Sequence, residues 1–330
     1  MSTTTKDLTG KVIVVFGATG AQGGSVAKYL LQDGKAKVRA ITRKADSEAA
    51  KALANAGAEI VVANQDDPAS LDSAFAGAYG VYGVTNFWEH FYGEFAAVSD
   101  EVAKAQKSQD RETVQGKNIV DAAKRAGIKH FVWSTLWHTD VPEDKTPHFE
   151  GKHDIDNYAK AQGVPLTSLY TAFYFENLAN FGMLGKNEDG TFTVQVAFPE
   201  DLKLPSYSVG ETGGWVTEAF KNPSKWISKD IHSLGESISV KEFASTLAAI
   251  SGKQVGYNKI SNEVFLAEDG VKKNPHVGLE LWLNMKNFYD HQPGPNALYD
   301  AKLSESVFPG ASNFAAFAKK DAALKKILGY

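Results

Sequence analysis

Lys11-Val12-Ile13-Val14-Val15-Phe16-Gly17-Ala18-Thr19-Gly20-Ala21-Gln22-Gly23-Gly24 is the stretch on which the fold turns. An unbroken apolar run, Lys11 to Phe16, reads as a buried strand. Gly17 to Gly24 forms a glycine-rich turn, and Ser25 to Leu31 continues with helical spacing. Strand, glycine turn and helix in that order suit a nucleotide diphosphate. Glycines let the backbone turn tightly and approach the phosphates, and the first helical N–H groups point at the anion with the helix dipole behind them. The stretch therefore predicts a dinucleotide-binding βα unit.

A second strand, Lys37 to Thr42, ends at Arg43 and Lys44. Arg43 lies twenty residues after Gly23, where an NAD-binding chain usually carries an acid for the ribose 2′-hydroxyl. A carboxylate would repel a 2′-phosphate, whereas a guanidinium takes it in a bidentate, charge-assisted pair. The nearest acid, Asp46, stands beyond both bases. The cofactor expected is NADP(H).

Working outward, strand and helix alternate. A helix over Glu48–Ala56 precedes a strand over Glu59–Ala63. Asp67-Pro68 reads as an N-cap and first helical residue, with Gly77 closing that helix. A fourth strand covers Gly80–Thr85, a helix Lys107–Ala126 and a fifth strand Lys129–Ser134. The alternation predicts a Rossmann-type α/β fold: a doubly wound parallel sheet whose ligand lies beyond the carboxyl ends of its strands. Glu89–Gln109 interrupts it as a long, partly polar insertion whose middle, Ser99–Lys107, could be helical. It reads as a lid or as a surface excursion.

Past about residue 170 the alternation dissolves into strands at Thr191–Val196 and Ile231–Leu234. Ser239-x-x-Glu242 is a capping box before a helix to Ile250, and helical patterns return at Val277–Phe288 and Phe314–Leu328. Residues 1–10 read as a flexible N-terminus, 11–170 as the NADP(H)-binding domain, and 171–330 as a smaller mixed α/β lobe, with the chain free to cross between lobes. Balanced charge, net −4, excludes direct nucleic-acid binding through a basic stripe. The absence of cysteine excludes disulfides, thiol catalysis and a Cys-based zinc site. With no signal peptide and no membrane-spanning run, the expectation is a soluble cytoplasmic protein that could also enter the nucleus.

Several stretches resemble one family, the NmrA-like proteins, atypical members of the extended short-chain dehydrogenase/reductase group. They are Val14 to Val26, Asn64-Gln65-Asp66-Asp67, Thr85-Asn86-Phe87-Trp88-Glu89, His148-Phe149-Glu150-Gly151-Lys152 and Tyr174-Phe175-Glu176-Asn177. The resemblance implies that Gly17, Ala18, Thr19, Gly20, Ala21 and Gln22 hold the diphosphate, with Gly23 behind them. Arg43, with Lys44 beside it, would take the 2′-phosphate, and Asn64 to Asp67 would lie along the adenine. Thr85, Asn86 and Phe87 would line the path to the nicotinamide, with Tyr174 to Asn177 bordering the ring. Lys152 is expected to reach the nicotinamide ribose hydroxyls, and is the catalytic candidate should the chain be an enzyme. On that reading Lys152→Ala weakens cofactor binding with little loss of stability.

Short-chain reductases usually work through Tyr-x-x-x-Lys, in which the lysine lowers the tyrosine pKa and the phenol supplies the proton. Here His148 fills the tyrosine slot and reads as a surface histidine in a polar loop. Ser134 survives as a strand-end hydrogen bonder. Three readings follow: a redox sensor acting through a protein partner such as a transcription factor, an NADPH-dependent reductase of a small apolar carbonyl or imine with another acid, or a scaffold with a vestigial site. The reductase donors considered are Lys152, His148, His153, Tyr174 or a water. The aromatics Phe87, Trp88, Phe91, Tyr92, Phe173, Tyr174 and Phe175 suit a substrate-pocket wall or core packing between lobes.

Overall fold

Apolar residues that alternate along each strand bury on both faces of one sheet. Ile13 and Val15 meet Tyr82, Val132 and Leu169 on one side, while Val14 and Phe16 meet Val81, Phe131 and Trp133 on the other. Such strands need helices over both faces. The computed structural model describes residues 7–274, 277–294 and 297–330. Its strands are β1 (Val12–Val15), β2 (Lys37–Thr42), β3 (Glu59–Val62), β4 (Gly80–Gly83), β5 (His130–Thr135), β6 (Leu166–Thr171), β7 (Phe173–Tyr174), β8 (Leu184–Lys186), β9 (Phe192–Val194), β10 (Leu204–Tyr207), β11 (Lys229–Ser233), β12 (Glu236–Ile238) and β13 (Val255–Tyr257).

Seven strands form the central sheet in the order β11-β6-β5-β4-β1-β2-β3, every pairing parallel. This is the doubly wound Rossmann order extended by one strand. The helices that place the site are α1 (Ala21–Asp33), α2 (Glu48–Asn55), α3 (Pro68–Phe75), α4 (Phe87–Glu89), α5 (Glu101–Arg125) and α6 (Pro147–Gln162). Asp67 caps α3 through a hydrogen bond from the Ala69 N–H, as its Asp-Pro signature predicts. Two three-stranded sheets, β12-β10-β7 and β13-β9-β8, build the smaller lobe, where the Ser239–Glu242 capping box opens the helix Val240–Ser251.

The structure departs from the sequence reading in four places. The strand expected in the smaller lobe near Ile231 is β11, which pairs with β6 and completes the central sheet, so that sheet draws on both halves of the chain. The Glu89–Gln109 insertion is mostly helical. His90–Glu94 forms a π-helical turn, and α5 starts at Glu101 because Asp100 accepts from the Val102 and Ala103 N–H groups. The final helix is two, Phe314–Ala318 and Ala322–Leu328, the second capped by Asp321. Of the N-terminal ten residues, 1–6 lie outside the described residues, while Leu8 is buried in the core.

Candidate functional site

Gly17 leaves β1 at φ +60°, in the left-handed region that glycine tolerates, and Gly20 sits extended at the N-cap of α1. A Cβ at Gly23 would lie 2.2 Å from the Phe16 carbonyl oxygen, so only glycine lets α1 start this close to β1. No side chain caps α1 and no acid stands in its first turn. Gly17, Thr19, Gly20 and Ala21 are exposed and Ala18 is buried, so apart from the Gly20 N–H, which donates to the Gly17 carbonyl, the turn presents its backbone at an uncapped helix N-terminus. That cradle fits a dinucleotide diphosphate.

The Gln22 side chain bonds across the strand ends. Its Oε1 accepts from Tyr82 Oη at 2.6 Å and from Ser134 Oγ at 2.7 Å, and its Nε2 donates to Tyr174 Oη. One side chain thus ties the carboxyl ends of β4 and β5 to the smaller lobe. Tyr174 is the member of its motif that reaches this centre, and burial holds its phenol above the usual range. Phe175 instead packs in the lobe core against Phe243, Phe314 and Phe317. Glu176 anchors the turn at Ser208–Gly210 by accepting from Ser208 Oγ and the Val209 and Gly210 N–H groups, and Asn177 starts a one-turn helix.

Arg43 and Lys44 are exposed just past β2. The Arg43 guanidinium meets Glu89 through both terminal nitrogens, Nη2 to Oε2 at 3.1 Å. The Asn64–Asp67 loop is braced: Gln65 donates to the Val84 carbonyl, and Asn64 Oδ1 accepts from the Asp66 N–H. Asp66 receives Arg111 at 2.8 Å and Gln115 at 3.2 Å, and Arg111 also reaches Glu94 in the π-turn. His90 completes the link through Glu94 and Gln115. The insertion is therefore docked on the loop expected to border the adenine.

Lys152, on α6, is buried. Its Nζ donates to Glu112 Oε1 at 2.5 Å and to the Thr85 carbonyl at 3.1 Å. Thr85 Oγ1 donates to the same carboxylate oxygen at 2.7 Å. An ammonium has three N–H groups, so at most one remains for a ribose hydroxyl. Asn86, exposed, stands at the N-cap position of α4.

His148 is not the surface histidine its sequence context suggests. It lies in the first turn of α6 against Trp88 (4.8 Å between ring centroids), Phe87 (5.3 Å) and Phe149 (5.5 Å). Burial, with Lys152 nearby, pushes its pKa well down, so it stays neutral. Its backbone N–H donates to Glu280, whose carboxyl burial pushes up to about 8. Phe87, Trp88, Phe91 and Tyr92 pack on one another, with Phe87 and Trp88 against His148, while Phe173 and Phe175 belong to the smaller lobe's core. The two aromatic groups predicted as one wall are separate.

Sequence reasoning passed over Glu112, Glu280 and His138. Glu112 follows the buried spacing of α5, with Ser108, Gln115 and Ile119, a stripe that its polarity disguised. His138 follows β5, bonds Glu150 at 2.8 Å and Asp140 at 3.0 Å, and stacks on His153. Burial opposes its charge, but the two carboxylates outweigh that and hold its pKa above the usual value. His153 is lowered by burial and by His138. Among the described residues no group of three or more His, Asp or Glu is placed to hold a metal ion, and no helix is long and apolar enough to cross a membrane.

The oxidoreductase FrzB of Cladobotryum sp, named as an NmrA-like family domain protein, is 33% identical over 267 residues, 76% of each chain. The fold matches NmrA, a negative transcriptional regulator, at a TM-score of 0.74 and 22% identity, over 94% of this chain and 95% of that one. A structure of NmrA in complex with NADP matches at 0.69 and 21% identity with the same coverage. The NmrA-like family model matches residues 9–303, and this chain belongs to the NmrA-like family.

Proposed function

We propose that this protein binds NADP(H) and reports its redox state to a protein partner, with little or no turnover. Binding is supported by the uncapped glycine turn at Gly17–Gly23 and by Arg43 at the end of β2, where a 2′-phosphate needs a bidentate donor. NmrA, which shares the fold, has been solved with NADP bound. Bound NADPH would bring a hydride; what the chain must add for carbonyl reduction is a proton. The observation that carries the sensor reading is the slot four residues before Lys152. His148 there is packed among aromatic rings and held neutral, and Lys152 is committed to Glu112 and Thr85. A site built for proton delivery would aim an acid at the substrate.

Calorimetric titration with NADP+, NADPH, NAD+ and NADH tests the binding, followed by NADPH absorbance against a carbonyl and imine panel. Tight NADP(H) binding with a flat absorbance trace supports the sensor. Steady NADPH consumption overturns it in favour of a reductase. FrzB's description as an oxidoreductase favours that second reading, as does His138 beyond β5, whose pKa Glu150 and Asp140 hold above the usual value; the search for its acid would begin there. Arg43→Glu is expected to abolish the NADP preference, and an unchanged NADP+/NAD+ affinity ratio would remove Arg43 from the site.

A further inference from the structure

We propose that Glu89 tunes the choice between phosphorylated and unphosphorylated dinucleotide by occupying Arg43 until a 2′-phosphate displaces it. This rests on reading Arg43 as the 2′-phosphate residue. Arg43 stands past β2 and Glu89 ends α4, after β4, so two strand ends bring the side chains together. The two terminal guanidinium nitrogens each meet one carboxylate oxygen, the same fork that would grip a phosphate. Two anions thus compete for one set of donors.

Exposure sets who wins. The Arg43 and Glu89 side chains are 62% and 42% exposed, so the pair is weak and a dianionic phosphate can break it. Glu89 cannot move far once displaced. The next residue, His90, is buried and tied to Glu94 and Gln115, and the π-turn is pinned to Asp66 through Arg111. The freed carboxylate remains near the phosphate and repels it. NAD(H) meets no such cost, because it leaves the Arg43–Glu89 pair intact. Its ribose 2′-hydroxyl would then find the carboxylate that NAD-binding chains place in this region. Here that carboxylate is supplied from the end of α4, with the arginine at the end of β2.

The test is calorimetry of the full chain and of Glu89→Gln, Arg43→Gln and the double variant, each with NADP+ and NAD+. Glu89→Gln is expected to bind NADP+ about fivefold to tenfold tighter, the gain from removing one charge about 7 Å from a dianion in a water-like dielectric. NAD+ should bind no tighter. The gain should shrink between about 50 mM and about 500 mM salt, where the screening length falls to a few ångströms. Equal changes for the two dinucleotides, or none, while Arg43→Gln still loses its NADP+ preference, overturn the role of Glu89 and leave the Arg43 reading standing. An unchanged NADP+/NAD+ ratio in Arg43→Gln overturns the underlying reading itself.

Discussion

Lys152→Ala separates structural from functional roles at the centre of the site. The lysine ammonium lies 2.5 Å from Glu112, whose side chain is 0% exposed, against 6% for Lys152. Among the described residues Glu112 Oε2 has no hydrogen-bond partner, and Oε1 has only Thr85 Oγ1 besides the lysine. Truncation would leave a buried carboxylate held by one hydroxyl. Removing one partner of a buried pair costs roughly 3–5 kcal/mol, because the other charge stays desolvated and unpaired. For a chain of 330 residues that is a fall in Tm of roughly 4–7 °C. The sequence alone suggested little loss of stability, and the buried pair reverses that expectation. Lys152→Met combined with Glu112→Leu removes both charges at similar volume and should regain most of the loss, since apolar replacement of a buried pair is often neutral. It should not regain NADPH affinity if the remaining lysine N–H serves the ribose; one charge-assisted hydrogen bond corresponds to roughly tenfold or more. Thermal unfolding without cofactor, run beside calorimetry, reads both quantities. A Lys152→Ala protein within about 1 kcal/mol of the parent would refute the argument, for Glu112 would then tolerate being alone.

Two further perturbations probe the scaffold. Gly23→Ala would place a methyl 2.2 Å from the Phe16 oxygen and 2.4 Å from the Gly17 oxygen, so it should cost on the order of 3 kcal/mol or abolish folding; soluble yield and Tm check this. Glu280, raised from 4.5 to about 8, keeps its proton in the native state while the unfolded chain loses it above about pH 4.5. Stability should therefore fall as pH rises through that window, by at most about 5 kcal/mol from this group. Glu280→Gln keeps an acceptor for the His148 N–H and should flatten the slope, matching the parent near the bottom of the window and exceeding its Tm at the top. Parallel Tm–pH curves would count against Glu280 as the cause.

The parallel sheet was legible because its signals are local. Lys37–Thr42 was read with its observed bounds, and Asp67-Pro68 and Ser239-x-x-Glu242 announced helices that begin there. What failed was pairing over distance. Nothing within Lys229–Ser233 reveals that its partner is β6 rather than a strand of the smaller lobe; register with Thr167–Thr171 decides that. The break before Asp321 was hidden by apolar spacing running through Phe314 to Leu328, although an aspartate able to accept from the N–H three residues on was a readable cap.

At the candidate site, the sequence could place residues at strand ends and in motifs but could not show their partners. Arg43 could be placed at a strand end by counting from Gly23, but its carboxylate comes from a different crossover. Lys152 could be matched to a motif, but its Glu112 stands forty residues earlier on α5. The consequence is chemical. A lysine read alone is a free donor, whereas one held by Glu112 and Thr85 has at most one N–H to offer. A histidine read alone titrates near neutrality, whereas His148 among Phe87, Trp88 and Phe149 does not. Both groups nearest the missing tyrosine are thus held by neighbours that spacing along the chain does not reveal. The case for binding without turnover therefore rests on who surrounds Lys152 and His148, more than on the absent tyrosine itself.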